Sequence, residues 1–338
     1  MFRIIKLSGK IAAAGVTAIA AVSLLLCAYK ITPVHLENTA GNTDYVWPSK
    51  SVWVDATEGI SFGQYDEKGF NNKTVIENPD IIVVGSSHME AANVMQDENA
   101  AYLLGQKLDG KYSVYNMGIS GHNFAKICQY LPANMEIFEK VPKVTVMETD
   151  SVQITPKNVE EVIKHSVEYT PSHSSGILET VQKIPFFRLM YRQIDSGLLD
   201  LFMPSHTAEN TNNASENIDY TAYENIFSYL ENIEATYGTQ IVIFYHPFET
   251  LQSDGGIDYG EDSPYLKAFT EQAEKHNITF ADMTSSFENM YYTKHHVAHG
   301  FATGKLGIGH LNKYGHAEIA EELYKAILEL EDGGLLCK

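Results

Sequence analysis

From Asp80 onward the chain alternates two hydrophobic patterns. Short unbroken apolar runs at Ile81 to Val84, Tyr112 to Met117, Lys143 to Glu148, Gln240 to Tyr245 and Thr279 to Asp282 read as strands buried on both faces. Between and after them stand amphipathic stretches: Ala91 to Leu108, Gly121 to Phe138, Tyr220 to Tyr237, Ser263 to His276 and Lys313 to Leu330. Strand and helix in turn predict an α/β fold, a three-layer sandwich with a central parallel sheet. The rhythm breaks over residues 151–217, which hold a helical stretch, Ile177 to Phe202, and a polar loop, Ser205 to Asn217. They read as an insertion that covers a site, binds a partner or packs as a satellite helix.

Ahead of this region the pattern is different. Residues 1–10 carry Arg3, Lys6 and Lys10 and no acid, and residues 11–29 contain no charge. At about 1.5 Å per residue that run is about 28 Å long, the hydrocarbon thickness of a bilayer. It ends Leu24-Leu25-Leu26-Cys27-Ala28-Tyr29, without a small-residue cleavage site, so a retained transmembrane anchor is expected rather than a removed signal peptide. The basic flank places the amino terminus in the cytoplasm and the C-terminal domain outside. Residues 30–79 are polar and aperiodic and read as a stalk leading into irregular structure, with short strands around Ile60 to Phe70. The expected division is therefore a basic segment (1–10), an anchor (11–29), a stalk (30–79) and one sheet-centred domain (80–332).

Charge narrows the partners. The chain has 24 basic and 43 acidic residues, and four of the basic ones, Arg3, Lys6, Lys10 and Lys30, flank the apolar run 11–29. So acidic a domain repels phosphate backbones, which argues against nucleic acid, and repels anionic polymers; a neutral glycan or a small ester is the easier substrate. Three cysteines at 27, 128 and 337 form no disulfide framework and no metal-ligand spacing.

The densest chemistry follows the first strand, at Gly85-Ser86-Ser87-His88. A serine at a strand-turn-helix junction sits beside free helix N–H groups, which suit an anion or a developing oxyanion; a plain helix cap uses the same residue type. After the second strand comes Asn116-Met117-Gly118-Ile119-Ser120-Gly121, where glycine lets backbone N–H groups approach a ligand. Near the end His310 stands in the glycine-rich loop Gly307-Ile308-Gly309-His310-Leu311-Asn312, just before the last helix. His88, His246 and Ser86 are further pocket candidates. His295, His296 and His299 are close in sequence but match no metal motif, and no GxSxG or P-loop pattern occurs.

Together these blocks resemble the SGNH, or GDSL-like, hydrolase superfamily over Asp80 to about Leu330. The resemblance implies Ser87 as nucleophile, with Ser86 where the family usually has aspartate, a variant of its cell-surface branches. It implies His310 as general base and the N–H groups of Ser87 and Gly121 as oxyanion donors, with Asn116 to Gly121 as the second block. Two departures stand out. Gly307 occupies the position of the family's third triad member, so Asp282, Asp150 or a Ser–His dyad must serve. The oxyanion asparagine is replaced in Glu148-Thr149-Asp150-Ser151, leaving Thr149 as a donor. The implied activity is an externally facing serine esterase or O-acyltransferase acting on O-acyl groups of a cell-envelope or secreted glycan, without a cofactor, and working beside a membrane-bound O-acyltransferase. The alternative is a binding or assembly protein that kept the fold and lost activity.

Overall fold

The computed structural model describes residues 2–31, 36–37, 45–55, 58–164, 184–195, 218–260, 263–302, 304 and 306–336. The expected polar loop Ser205 to Asn217 lies outside them, as does most of the stretch Ile177 to Phe202, of which helix Pro185–Asp195 is described. Helix α1 (Phe2–Ala28) opens the chain, and its portion Lys6–Ala28 is long and apolar enough to cross a membrane. A hairpin follows, β1 (Val52–Asp55) against β2 (Ser61–Gln64), antiparallel with Val54 opposite Phe62.

The centre is a five-stranded sheet. Its strands are β3 (Ile81–Gly85), β4 (Val114–Gly118), β5 (Val144–Thr149), β6 (Gln240–Tyr245) and β7 (Thr279–Asp282), in the order β7-β6-β5-β3-β4 and all parallel. The central strands are continuous apolar runs because both faces are covered. Alternate side chains serve opposite layers. Ile82 and Val84 join Tyr115, Met117 and Ile243 against Leu131, Tyr223, Phe227 and Phe269 on one side. Ile81 and Val83 join Val146 and Phe244 against Leu104, Phe287, Ile319 and Leu323 on the other. The expected three-layer α/β sandwich is thus the observed one.

Helix boundaries follow local chemistry. The stretch Ala91 to Leu108 is not one helix: Ala91 adopts φ 55°, closing a single turn, Ser87–Glu90, and the next helix starts at Ala100 once Asn99 accepts the Tyr102 N–H at 2.8 Å. The next amphipathic stretch starts at Phe124 rather than Gly121, behind an Asn123 cap. Two helices escape the sequence pattern, Pro156–Lys164 and Thr284–Lys294. The second has buried residues Thr284, Phe287 and Met290 among mostly polar neighbours, a stripe too narrow to mark a helix in advance.

The turn Ser87–Glu90 packs directly on β4. A methyl group at Gly118 would lie 2.2 Å from the Glu90 nitrogen and 2.3 Å from the Met89 carbonyl carbon. Backbone cannot yield there as a side-chain tip would. Gly118→Ala is expected to cost about 3 kcal/mol, the upper end for overpacking, read as a lowered unfolding midpoint in denaturant.

Candidate functional site

Three side chains from distant parts of the chain converge at the carboxyl edge of the sheet. Ser87 is the first residue of the turn after β3, where Ser86 caps it by accepting the His88 N–H at 3.1 Å. The loop before the last helix (Lys313–Asp332) presents His310, whose Nε2 lies 2.9 Å from Ser87 Oγ. Its other ring nitrogen, Nδ1, donates to Glu58 Oε1 at 2.9 Å, and the His310 backbone N–H donates to Glu58 Oε2 at 2.9 Å. Serine, imidazole and carboxylate therefore stand in the relay order that activates a hydroxyl nucleophile.

The carboxylate is Glu58, on the connection between β1 and β2, and not Asp282 or Asp150. Asp282 is occupied at the end of its own strand, accepting from Thr284 N and Oγ1 at 2.9 and 2.5 Å. Asp150 sits beside Glu148, and burial and that neighbouring charge raise its carboxyl above the ordinary range. Glu58 reverses the trend. Burial alone would raise it, but the hydrogen bonds and charge of His310 outweigh burial and hold it below the usual carboxylate range. In the same pair burial pushes His310 down and Glu58 pushes it up further, leaving the imidazole above its ordinary value. Nothing local marks Glu58 in the sequence. Its one trace is Gly309, at φ 100°, where a Cβ would lie 2.9 Å from Glu58 Oε2.

The remaining candidates divide by what holds them. Gly121 (φ 84°) is exposed on the loop after β4, at the same sheet edge as Ser87, and nothing lies within 4 Å of where its Cβ would be. Its neighbour Ser120 is fixed by Glu90, which accepts the Ser120 N–H at 2.8 Å as well as Trp47 Nε1 at 2.7 Å and Tyr65 Oη at 2.6 Å. Thr149 does not offer its hydroxyl: Oγ1 donates to the Ser151 carbonyl at 2.5 Å, so its one proton is spent in the turn. Asn116 is buried in β4 and braces the turn Ser87–Glu90, donating to the Met89 carbonyl at 2.7 Å and accepting the Gly118 N–H.

Glu148 is only 1% exposed yet fully engaged. Its carboxylate accepts Ser86 N–H at 2.5 Å, Ser86 Oγ at 2.7 Å and His246 Nε2 at 2.8 Å. Three donors compensate the desolvation of a buried carboxylate and clamp Ser86, the residue before Ser87. His246 continues inward, with Nδ1 3.1 Å from His299 Nε2, and His299 Nδ1 meets Glu249 at 2.6 Å.

His88, His246 and His299 bring one ring nitrogen each within 4.8 Å of one another, the set among the described residues that comes nearest to a metal site. His88 Nδ1 accepts the Leu311 N–H at 3.2 Å, so the neutral ring carries its proton on Nε2 and has no lone pair left to give. Burial, then the neighbouring histidines, keep that ring neutral by holding its pKa well below the ordinary value. The trio does not fit a three-nitrogen metal centre. The sequence-adjacent histidines separate: His295 caps its helix in the left-handed region, His296 stacks on Tyr314 at 3.6 Å, and His299 is buried.

No family model matches the chain, and no curated protein matches it. Among solved structures it is similar to the acetyl xylan esterase AlAXEase, with 13% identity over 73% of this chain and 99% of that one and a TM-score of 0.40. It is similar also to TesA, with 13% identity over 74% and 98% and a TM-score of 0.41. A third is a member of the lipolytic protein G-D-S-L family from Veillonella parvula, with 15% identity over 72% and 96% and a TM-score of 0.38.

The paired shifts give a pH test. A neutral His310 is required to take the Ser87 proton, so labelling of Ser87 by a fluorophosphonate rises with pH as His310 deprotonates. Because Glu58 raises His310, the midpoint is expected above the ~6.5 of an exposed histidine. Glu58→Gln removes the charge and leaves burial, moving the midpoint to lower pH and reducing the plateau rate by on the order of 10³-fold. Measuring labelling rate against pH for both proteins checks both the sign and the loss.

Proposed function

We propose that this protein is a membrane-anchored serine esterase or O-acyltransferase of the SGNH type. The observation that supports it above all is the Ser87–His310–Glu58 line, with both imidazole nitrogens engaged at 2.9 Å. In the proposed reaction Ser87 Oγ attacks an ester carbonyl while His310 Nε2 accepts the hydroxyl proton. The carbonyl oxygen becomes an oxyanion, held by the Ser87 and Gly121 N–H groups. Collapse expels the alcohol, which takes its proton from His310, and leaves an acyl-serine. Water then regenerates the enzyme, or a sugar hydroxyl carries the acyl group away; both acceptors use the same base.

The substrate side rests on charge and position. A chain with 43 acidic against 24 basic residues favours neutral acylated glycans or small esters over anionic polymers. The apolar helix Lys6–Ala28 supports anchoring, with the basic flank on the cytoplasmic side and the domain outside. The alternative, a binding protein that lost activity, is supported by Gly307 and by the altered block Glu148-Thr149-Asp150-Ser151; Glu58 supplies from another segment the carboxylate that Gly307 lacks and so weakens the first support.

The purified full chain is expected to hydrolyse p-nitrophenyl acetate and to take one fluorophosphonate per chain at Ser87. Ser87→Ala is expected to abolish labelling, and His310→Ala to lower turnover by on the order of 10³-fold or more. A folded wild-type chain that neither labels nor turns over would refute the enzyme reading.

A further inference from the structure

The end of the apolar helix is stitched to the hairpin that carries the triad acid. Ile31 pairs with Val52, the Val52 N–H donates to the Lys30 carbonyl at 3.2 Å, and Lys30 Nζ donates to the Ser49 carbonyl at 2.6 Å. Only Tyr29 separates helix residue Ala28 from Lys30. From Val52 to Glu58 the chain advances six positions, which even fully extended span at most about 21 Å. The site is therefore tethered on the side of the domain where the helix leaves it.

That side is apolar. In the hairpin Trp53, Asp55 and Ser61 turn inward, so period-two alternation puts Val54 and Phe62, cross-strand partners, on the outer face at 44% and 59% exposure. Ile60, two residues after Glu58, is 78% exposed. Ile308, two residues before His310, is 61% exposed, and the adjacent Gly309 packs against Glu58. Ile60 also lines a cavity of about 690 Å³ together with Leu306, itself 51% exposed. Single exposed apolar side chains are ordinary; a group gathered around one catalytic loop and one juxtamembrane hairpin is not.

We propose that this rim docks on the lipid surface of the bilayer that holds α1, so that the active site opens toward the membrane and takes acyl groups presented there. The proposal rests on the membrane-anchored reading above and adds orientation and substrate presentation to it. The occupant follows from the tether: a face joined within a few residues to a membrane-spanning helix meets lipid before any diffusing partner. Apolar contact of this kind holds an acidic domain at a surface to which charge does not draw it.

The test uses the full chain in phosphatidylcholine nanodiscs. Phe62→Trp adds one reporter at the centre of the rim, and the emission it adds over wild type is compared in plain lipid and in lipid brominated at the 6,7 positions. Quenching of about half the added emission or more is expected for a side chain at the acyl boundary. Equal emission in the two bilayers overturns the proposal, including the cases in which residues 32–44 or a second copy cover the face. A companion variant, Val54→Ser with Phe62→Ser, should keep p-nitrophenyl acetate turnover within about twofold while losing about fivefold or more on an acyl ester embedded in the same bilayer. Equal effects on both substrates overturn it as well. Flotation with vesicles separates the underlying reading: a chain that does not float has no anchor, whereas one that floats without quenching refutes the docking alone.

Discussion

A double hydrogen bond between Glu58 and His310, from ring nitrogen and backbone N–H of the same residue, holds the two ends of this chain together. It does three physical jobs at once. It fixes the imidazole tautomer with Nε2 facing Ser87, it stabilises the charge that the ring acquires on taking a proton, and it closes the loop containing Gly307 and Gly309 onto the hairpin. Neither partner is deeply enclosed, with side chains 30% and 32% exposed, so the pair keeps access to solvent and substrate.

Around that contact the protein buries other acids and satisfies each. Glu90 gathers Trp47, Tyr65 and Ser120, tying the leading segment and the loop after β4 to the turn Ser87–Glu90. Glu148 gathers Ser86 and His246. Glu249 accepts both the backbone N–H and Nδ1 of His299. A buried carboxylate without donors would be strongly unfavourable. With two to four donors each, these acids act as fixed points from which the loops at the sheet edge are hung, a role that apolar packing, being non-directional, performs less well.

The sequence displayed the sheet clearly because continuous apolar runs mark strands buried on both faces, as at Ile81 to Val84. It displayed Ser87 and His310 because each stands in a local motif beside glycine. Glu58 had no such mark: its partner lies 252 residues away, and only folding makes them neighbours. Thr149 and Asp282 are different: their partners, Ser151 and Thr284, stand only two residues on, and what withholds them from the site is a local turn bond. Glu148, like Glu58, is explained only in the fold, since its three donors are contributed by two other segments. Spacing along a chain reports local geometry well and long-range complementarity hardly at all.

The hairpin's attachment also shapes how the protein opens. Sheet strands are held by layers on both faces, whereas the acid arrives on a two-stranded ribbon, a form with little independent stability. Partial opening of that ribbon separates Glu58 from His310 and leaves the five-stranded sheet intact. Its free energy is that of a local fluctuation, smaller than that of global unfolding. Assembly of the Ser87–His310–Glu58 line and foldedness are therefore separate equilibria in this molecule, and whatever presses the ribbon against the domain sets the first without altering the second.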